Sequence, residues 1–350
     1  MRIGPSLPRV LAVICVGGLA AGVSPALGAF PGENGRILFD RFRVDAEIPD
    51  IWTMSPSGSN AVNLTANSPA FDGRASWRAD GQKIAFMSDR ETPSNPTSPG
   101  FPEDPDFEIF VMDADGSDQT QITFNELDDV VPAWSPNGKR IVFARDFDPV
   151  RGQGDDDIFT MRANGADERN LTRSPGVEDY DPDWSPDGRR IAWTGERDGD
   201  AEIYTMRPNG SGVRQLTFND GPTQFDGEPN WSPDGRKIAF TSERDAVPET
   251  PFQVEIYTMR ADGGNQTRLT FDDLSDFLPA WSPDGRKIAF TSFRDVTEET
   301  ESNAEIYTMR ADGRDQVRRT NNTVFDAAPD WQPLDDDDDE DNEGDDDRDD

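Results

Sequence analysis

Apolar residues along this chain come in short runs of about five, each closed by turn residues, and no segment sustains a helical period. In the clearest copies a tryptophan strand ends at a turn, Trp231-Ser-Pro-Asp-Gly and Trp281-Ser-Pro-Asp-Gly. Proline presets φ there and glycine accepts a positive φ. The chain then reads Lys-Ile-Ala-Phe-Thr from Lys237 and from Lys287, a loop, and Glu-Ile-Tyr-Thr-Met from Glu255 and from Glu305. A hairpin turn follows at Asp262-Gly263 and Asp312-Gly313, then a short segment ending at Thr270 or Thr320. Each copy therefore predicts four strands, named a to d, with the tryptophan on strand a.

The tryptophans recur at Trp77, Trp134, Trp184, Trp231, Trp281 and Trp331, a period of roughly 50 residues that points to a propeller or a solenoid. The ends decide between them. The first copy begins at Asn34-Gly35-Arg36-Ile37, a strand b without its own tryptophan strand, and the last, around Trp331, has only strand a. The two fragments make one blade. The expectation is an all-β, six-bladed propeller with four antiparallel strands per blade, its ring closed by N-terminal strands b, c and d pairing with a C-terminal strand a.

The Trp-Ser-Pro-Asp-Gly turn at Trp184, Trp231 and Trp281, its Trp-Ser-Pro-Asn-Gly form at Trp134, and the Ile-Tyr-Thr-Met strand resemble the repeat of the TolB-like, WD-repeat-like propeller family. The resemblance runs from Asn34 to Pro333, with looser forms of the turn at Trp77 and Trp331. It implies a periplasmic or extracellular scaffold that binds protein partners. TolB itself carries an α/β domain ahead of its propeller, whereas about five residues separate the expected cleavage point from the first strand here, so the resemblance covers the propeller only.

Composition changes the picture at both ends of the chain. A hydrophobic share of 33% with a mean hydropathy of -0.77 is low for a conventional core, but repeats bury small apolar faces against their neighbours. Residues 1–28 read as a secretory signal: Arg2 and Arg9, an apolar run from Val10 to Val23, and small residues before Ala29. No later stretch reaches the ~20 apolar residues of a membrane helix. The propeller is assigned to 29–333. From 334 to 350 the chain is an acidic tail, with 13 acidic residues against Arg348 alone, composition expected to stay solvated. The net charge of -36 disfavours nucleic acid and anionic membranes as partners. The chain has no histidine, and its one cysteine, Cys15, lies in the signal segment. Disulfides, thiolate or imidazole metal ligands and histidine-dependent catalysis are thereby excluded from the exported part.

Five residues before each tryptophan stands an aspartate: Asp72, Asp129, Asp179, Asp226, Asp276 and Asp326. Strand a is innermost in a propeller, so six carboxylates are placed around one mouth of the channel. Pointing inward, they would favour proton uptake or a hard cation such as calcium; no other cofactor is expected. Each could instead cap its own loop through backbone N–H bonds, and a feature present in every blade fits that structural role. A second recurring set pairs an arginine after strand b (Arg43, Arg90, Arg145, Arg197, Arg244, Arg294) with an acid opening strand c (Asp50, Glu108, Asp157, Glu202, Glu255, Glu305), predicting a salt-bridge ladder. The loops 91–106, 146–156, 245–254 and 295–304 vary most and fall on the aspartate side. The expected function is an exported, monomeric, non-catalytic scaffold that uses this face to hold a protein or envelope component. The alternatives are a calcium-binding propeller and, behind it, a carboxylate-based carbohydrate-active enzyme.

Overall fold

The computed structural model describes residues 29–43, 48–90, 106–146, 155–197, 199–218, 225–245, 253–295 and 303–334. The expected signal segment, the acidic residues from 335 on and most of the four variable loops lie outside the described residues. Among the described residues no helix is long and apolar enough to cross a membrane.

Regular structure in these residues is entirely β, in six antiparallel sheets of four strands. Strand a of blades 2 to 6 is Asp72–Trp77, Asp129–Trp134, Asp179–Trp184, Asp226–Trp231 and Asp276–Trp281. Blade 1 is assembled from both ends of the chain. Its strand a, Asp326–Leu334, pairs with strand b, Glu33–Phe42, with Ile37 opposite Trp331 and Arg41 opposite Asp326. Strands c (Pro49–Met54) and d (Val62–Asn63) complete it. The ring therefore closes between the two ends of the repeat, as the truncated copies imply.

Thin sheets of this composition cannot bury both faces alone, and the cores accordingly lie between blades. Trp77 packs with Leu38 and Ile51 of blade 1, and Trp231 with Ile203 and Leu216 of blade 4. At the closing seam Trp331, Ile37 and Phe39 meet Ala280, Ala289 and Ile306 of blade 6. Each tryptophan thus reaches back into the seam with the preceding blade. The turn between strands c and d does the same: Gly165, at φ 81°, sits so close to blade 2 that a Cβ would lie 2.0 Å from the Ile122 carbonyl oxygen. Only glycine meets both demands.

The two ends of the ring axis differ. Turns a–b and c–d form one face, called the turn face; loops b–c and d–a form the other, the loop face. If the closing seam equals the others, Trp331→Ala should cost about 3–5 kcal/mol in urea unfolding, the same as Trp231→Ala. A loss below about 1 kcal/mol at Trp331 alone would mean an open array.

Candidate functional site

The six aspartates stand where the sequence places them, at the loop-face end of strand a, and all are fully buried. Each is held by an arginine of its own blade. Arg145 grips Asp129 at 2.5 and 2.7 Å, Arg41 grips Asp326 at 2.7 and 2.8 Å, and Arg197, Arg244 and Arg294 reach Asp179, Asp226 and Asp276 at 2.6, 2.5 and 2.5 Å. Arg90 pairs with Asp72 in the same way. Every one of these guanidinium groups lies over two rings, from strands b and c: Arg244 over Phe240 and Tyr257 at 5.3 and 5.0 Å, Arg41 over Phe39 and Trp52 at 5.0 and 4.7 Å. Such stacking desolvates arginine at low cost, because its charge is spread over a plane.

Among the described residues the expected pairing is seen in blade 1, where Arg43 pairs with Asp50. Elsewhere the arginine turns to strand a, and Glu255 and Glu305 are taken instead by Arg268 and Arg318 of strand d. Burial raises the Asp129, Asp179 and Asp326 carboxyls above their ordinary value and Asp276 to about 7, with the arginines opposing the shift. Among the described residues no group of three or more acids is arranged to hold a metal ion. The sequence reading missed that the aspartate set and the arginine set are one device. A signal existed in the aromatic pair that accompanies every arginine.

Two residues after each aspartate, strand a bulges. Arg74, Val131, Asp181, Glu228, Leu278 and Ala328 all sit at φ 54–56°, beside a register shift against strand b. A bulge leaves an N–H outside the ladder, and at four of the six a side chain of the preceding blade accepts it. Thr194 accepts from Glu228, Thr241 from Leu278, Thr291 from Ala328, and Asp40 from Arg74. A second latch joins neighbouring tryptophan strands, with Asp183, Asn230 and Asp330 accepting the N–H of Trp231, Trp281 and Trp77. Arg74, Asp181 and Glu228 feel one another's charge, and Asp181 has both carboxylate oxygens buried without a hydrogen bond. At the turn-face end Ala29 donates to the Trp231 carbonyl and packs in the seam of blades 5 and 6. Phe30 packs in the opposite seam, of blades 2 and 3.

The loop face departs from sixfold symmetry. On blades 3 and 4 acids gather, and Asp156 is raised well above the ordinary value by burial and by Asp146, Glu178, Asp128 and Asp155. Glu178 is raised to about 7 by burial and by Glu196 and Asp146. On blades 6 and 1 the corresponding arc is aromatic, with Phe42–Phe325, Phe293–Phe325 and Phe277–Phe293 ring centroids at 5.1, 5.8 and 5.5 Å. Beyond it, where strand d leads into the next loop, Phe218 and Phe271 are each 72% exposed and Phe124 is 54% exposed. Clefts of about 620 and 440 Å³ lie off the axis, the larger between blades 1 and 2 beside Leu64, Asn67 and Arg90, the smaller between the turns of blades 2 and 3.

Burial raises Asp330 to about 8 and Asp40, Glu228 and Glu243 to about 7. Their unfolded values lie near 4. Such groups bind protons more tightly in the folded chain, so their stabilisation is complete below pH ~4 and is lost as pH rises through about 7 to 8. Melting temperature should fall between pH 5 and pH 8.5. Asp330→Asn, which keeps an acceptor as Asn230 does naturally, should raise the melting temperature at pH 8.5 and change it little at pH 5. A melting temperature that climbs with pH would contradict these assignments.

The model of the TolB beta propeller domain family matches residues 147–225 and 222–296. A search of curated proteins finds no match. Among solved structures the chain is similar to TolB from Acinetobacter baumannii, at 22% identity and a TM-score of 0.68, over 87% of this chain and 68% of that one. It is also similar to a candidate TolB from Agrobacterium tumefaciens, at 19% identity and 0.61, over 85% and 99%. The hydrazine synthase of Kuenenia stuttgartiensis is similar at 15% and 0.65, over 88% of this chain and 48% of that one, so the shared fold does not by itself specify chemistry. By its repeat and its ring of six four-stranded sheets, the chain is a TolB-like six-bladed β-propeller.

Proposed function

We propose that this propeller is an exported, non-catalytic scaffold that holds a protein or envelope component on its loop face. One observation carries the reading: the framework repeats six times, while the loop face does not, setting half-buried Phe42 and Phe293, packed over buried Phe277 and Phe325, on blades 6 and 1 against an acidic arc on blades 3 and 4. Structural needs recur with the blade, whereas a binding surface has to match one partner. The exposed Phe271, after strand d of blade 5, extends the apolar side, and the exposed Phe218, after strand d of blade 4, borders the acidic one; rigid scaffolds commonly carry recognition on such loops. Apolar and basic side chains on the partner would complement the two arcs.

Phe218→Ser with Phe271→Ser should leave the unfolding free energy within about 0.5 kcal/mol of the parent and remove the partner recovered by the whole chain from an envelope extract. Recovery unchanged by this pair of substitutions would refute the loop-face assignment. Calcium is the cofactor left open by the aspartate set. Because each aspartate is already held by an arginine, the ion would have to displace a stacked guanidinium. Millimolar calcium should therefore leave the melting temperature of the whole chain unchanged. A saturable rise of several degrees would restore the aspartates as ligands.

A further inference from the structure

Every blade ends its inner hairpin at the loop face with one more backbone bond, from the third residue after the strand b aromatic to the residue before the buried aspartate. Both positions are acidic in blades 3 and 4, neither is acidic in blades 6 and 1, and blades 2 and 5 pair one phenylalanine with one acid. The two mixed blades differ. In blade 2 the acid is engaged, since Asp89 accepts the Phe71 N–H at 2.7 Å. In blade 5 the acid is Glu243, which is 5% exposed and whose Oε1 accepts no hydrogen bond. Burial raises it to about 7, and among the described residues the Phe225 N–H is the one group that favours its charged form. A carboxylate buried with so little support costs stability that phenylalanine, which holds the same position in blades 6 and 1, would not.

The surroundings of Glu243 are aromatic. Strand b of blade 5, Lys237–Ser242, turns one side to blade 6, where the Thr241 hydroxyl accepts the Leu278 N–H at 3.2 Å. Glu243 lies two residues on, so its side chain faces the same way, toward Phe277, the residue before Leu278. Phe277 stacks on Phe293 with ring centroids 5.5 Å apart. On the other side Phe225 stands opposite Glu243 across the hairpin, and its ring lies over Gly227, where a Cβ would collide with it. The carboxylate is thus set between a ring of its own blade and an aromatic pair of the next.

Given the loop-face reading, on which this inference rests, we propose that the partner inserts an arginine side chain at blade 5, its guanidinium on the Glu243 carboxylate and against the Phe225 ring. The molecule displays six times what such surroundings hold. Each framework aspartate is gripped by an arginine lying over two rings, as Arg294 lies over Phe290 and Tyr307 at 5.2 and 4.6 Å while it holds Asp276 at 2.5 Å. Glu243 has the acid and the rings without the arginine. A planar guanidinium stacks on a ring and donates two parallel hydrogen bonds to a carboxylate at once, whereas an ammonium is a compact, strongly hydrated point charge.

The probe is the peptide acetyl-Gly-Arg-Gly-amide, titrated into the whole isotope-labelled chain near pH 8, where Glu243 is mostly charged, in about 150 mM salt to screen the remaining acids. Saturable shifts should appear at the amides of Gly227, Glu243 and Phe277. The same peptide with citrulline in place of arginine, equal in shape and without the charge, should produce none. Glu243→Gln should weaken the arginine peptide about tenfold and raise the melting temperature at that pH, because it removes a buried charge with little support; lost binding is then not lost folding. It should also cut recovery of the partner from an envelope extract to a similar degree. The peptide reports on this one position without the natural partner, and the Phe218 and Phe271 substitutions report on the loop face as a whole, so either reading can fail without the other. Equal binding of the arginine and citrulline peptides, peptide affinity unchanged by Glu243→Gln, or full recovery of the partner by that variant would overturn the proposal.

Discussion

The constraint on which this structure rests is that none of its sheets can bury its own faces. A blade offers a few apolar side chains on each side, and every core found here is shared between neighbouring blades. The seam between blades 6 and 1 is therefore as necessary as the other five. The blade 1 side of that seam exists only because its sheet pairs residues about 290 positions apart in the chain, Ile37 and Trp331. A closed ring leaves no outermost blade with an unpaired apolar face.

The same constraint shapes the polar interior. Strand a has to turn its side chains toward a narrow axis, and it does so by bulging two residues after each aspartate. The bulge would orphan a backbone N–H, and in blades 5, 6 and 1 the threonine that follows the strand b aromatic of the preceding blade accepts it. Asp40 replaces that threonine at the blade 1 to blade 2 seam, so the latch there carries a titratable group. The aspartate itself is buried with an arginine stacked on two rings, which keeps a charge pair tolerable inside a protein whose surface is already strongly acidic. The most regular features of the sequence thus belong to the framework, and what varies between blades is displayed on the loop face and the turn face.

Much of the fold was legible because turn chemistry and tryptophan spacing are local signals. Trp-Ser-Pro-Asp-Gly fixes the end of strand a and the start of strand b, and the truncated first and last copies fix the closure. The arginine partners were less legible. Arg41 and Arg145 sit two residues after the strand b aromatic, the others four, and only the three-dimensional path of strand a shows that both spacings reach the same aspartate. The bulge left no residue signature: arginine, valine, aspartate, glutamate, leucine and alanine all occupy it, and at four of the six positions a neighbouring blade accepts the freed N–H whatever the residue. The asymmetry of the loop face was also hidden, since it arises from which aromatic and acidic positions six separated segments bring to one mouth.

Native-state hydrogen exchange is the most direct measurement of the closed ring. In a closed ring the amides of Ile37 and Trp331 exchange only with global unfolding, with the same protection as Trp231 and Trp281 in the middle of the repeat. Faster exchange confined to strand Asp326–Leu334, with Glu33–Phe42 following it, would show a ring that opens at its ends and would contradict the account.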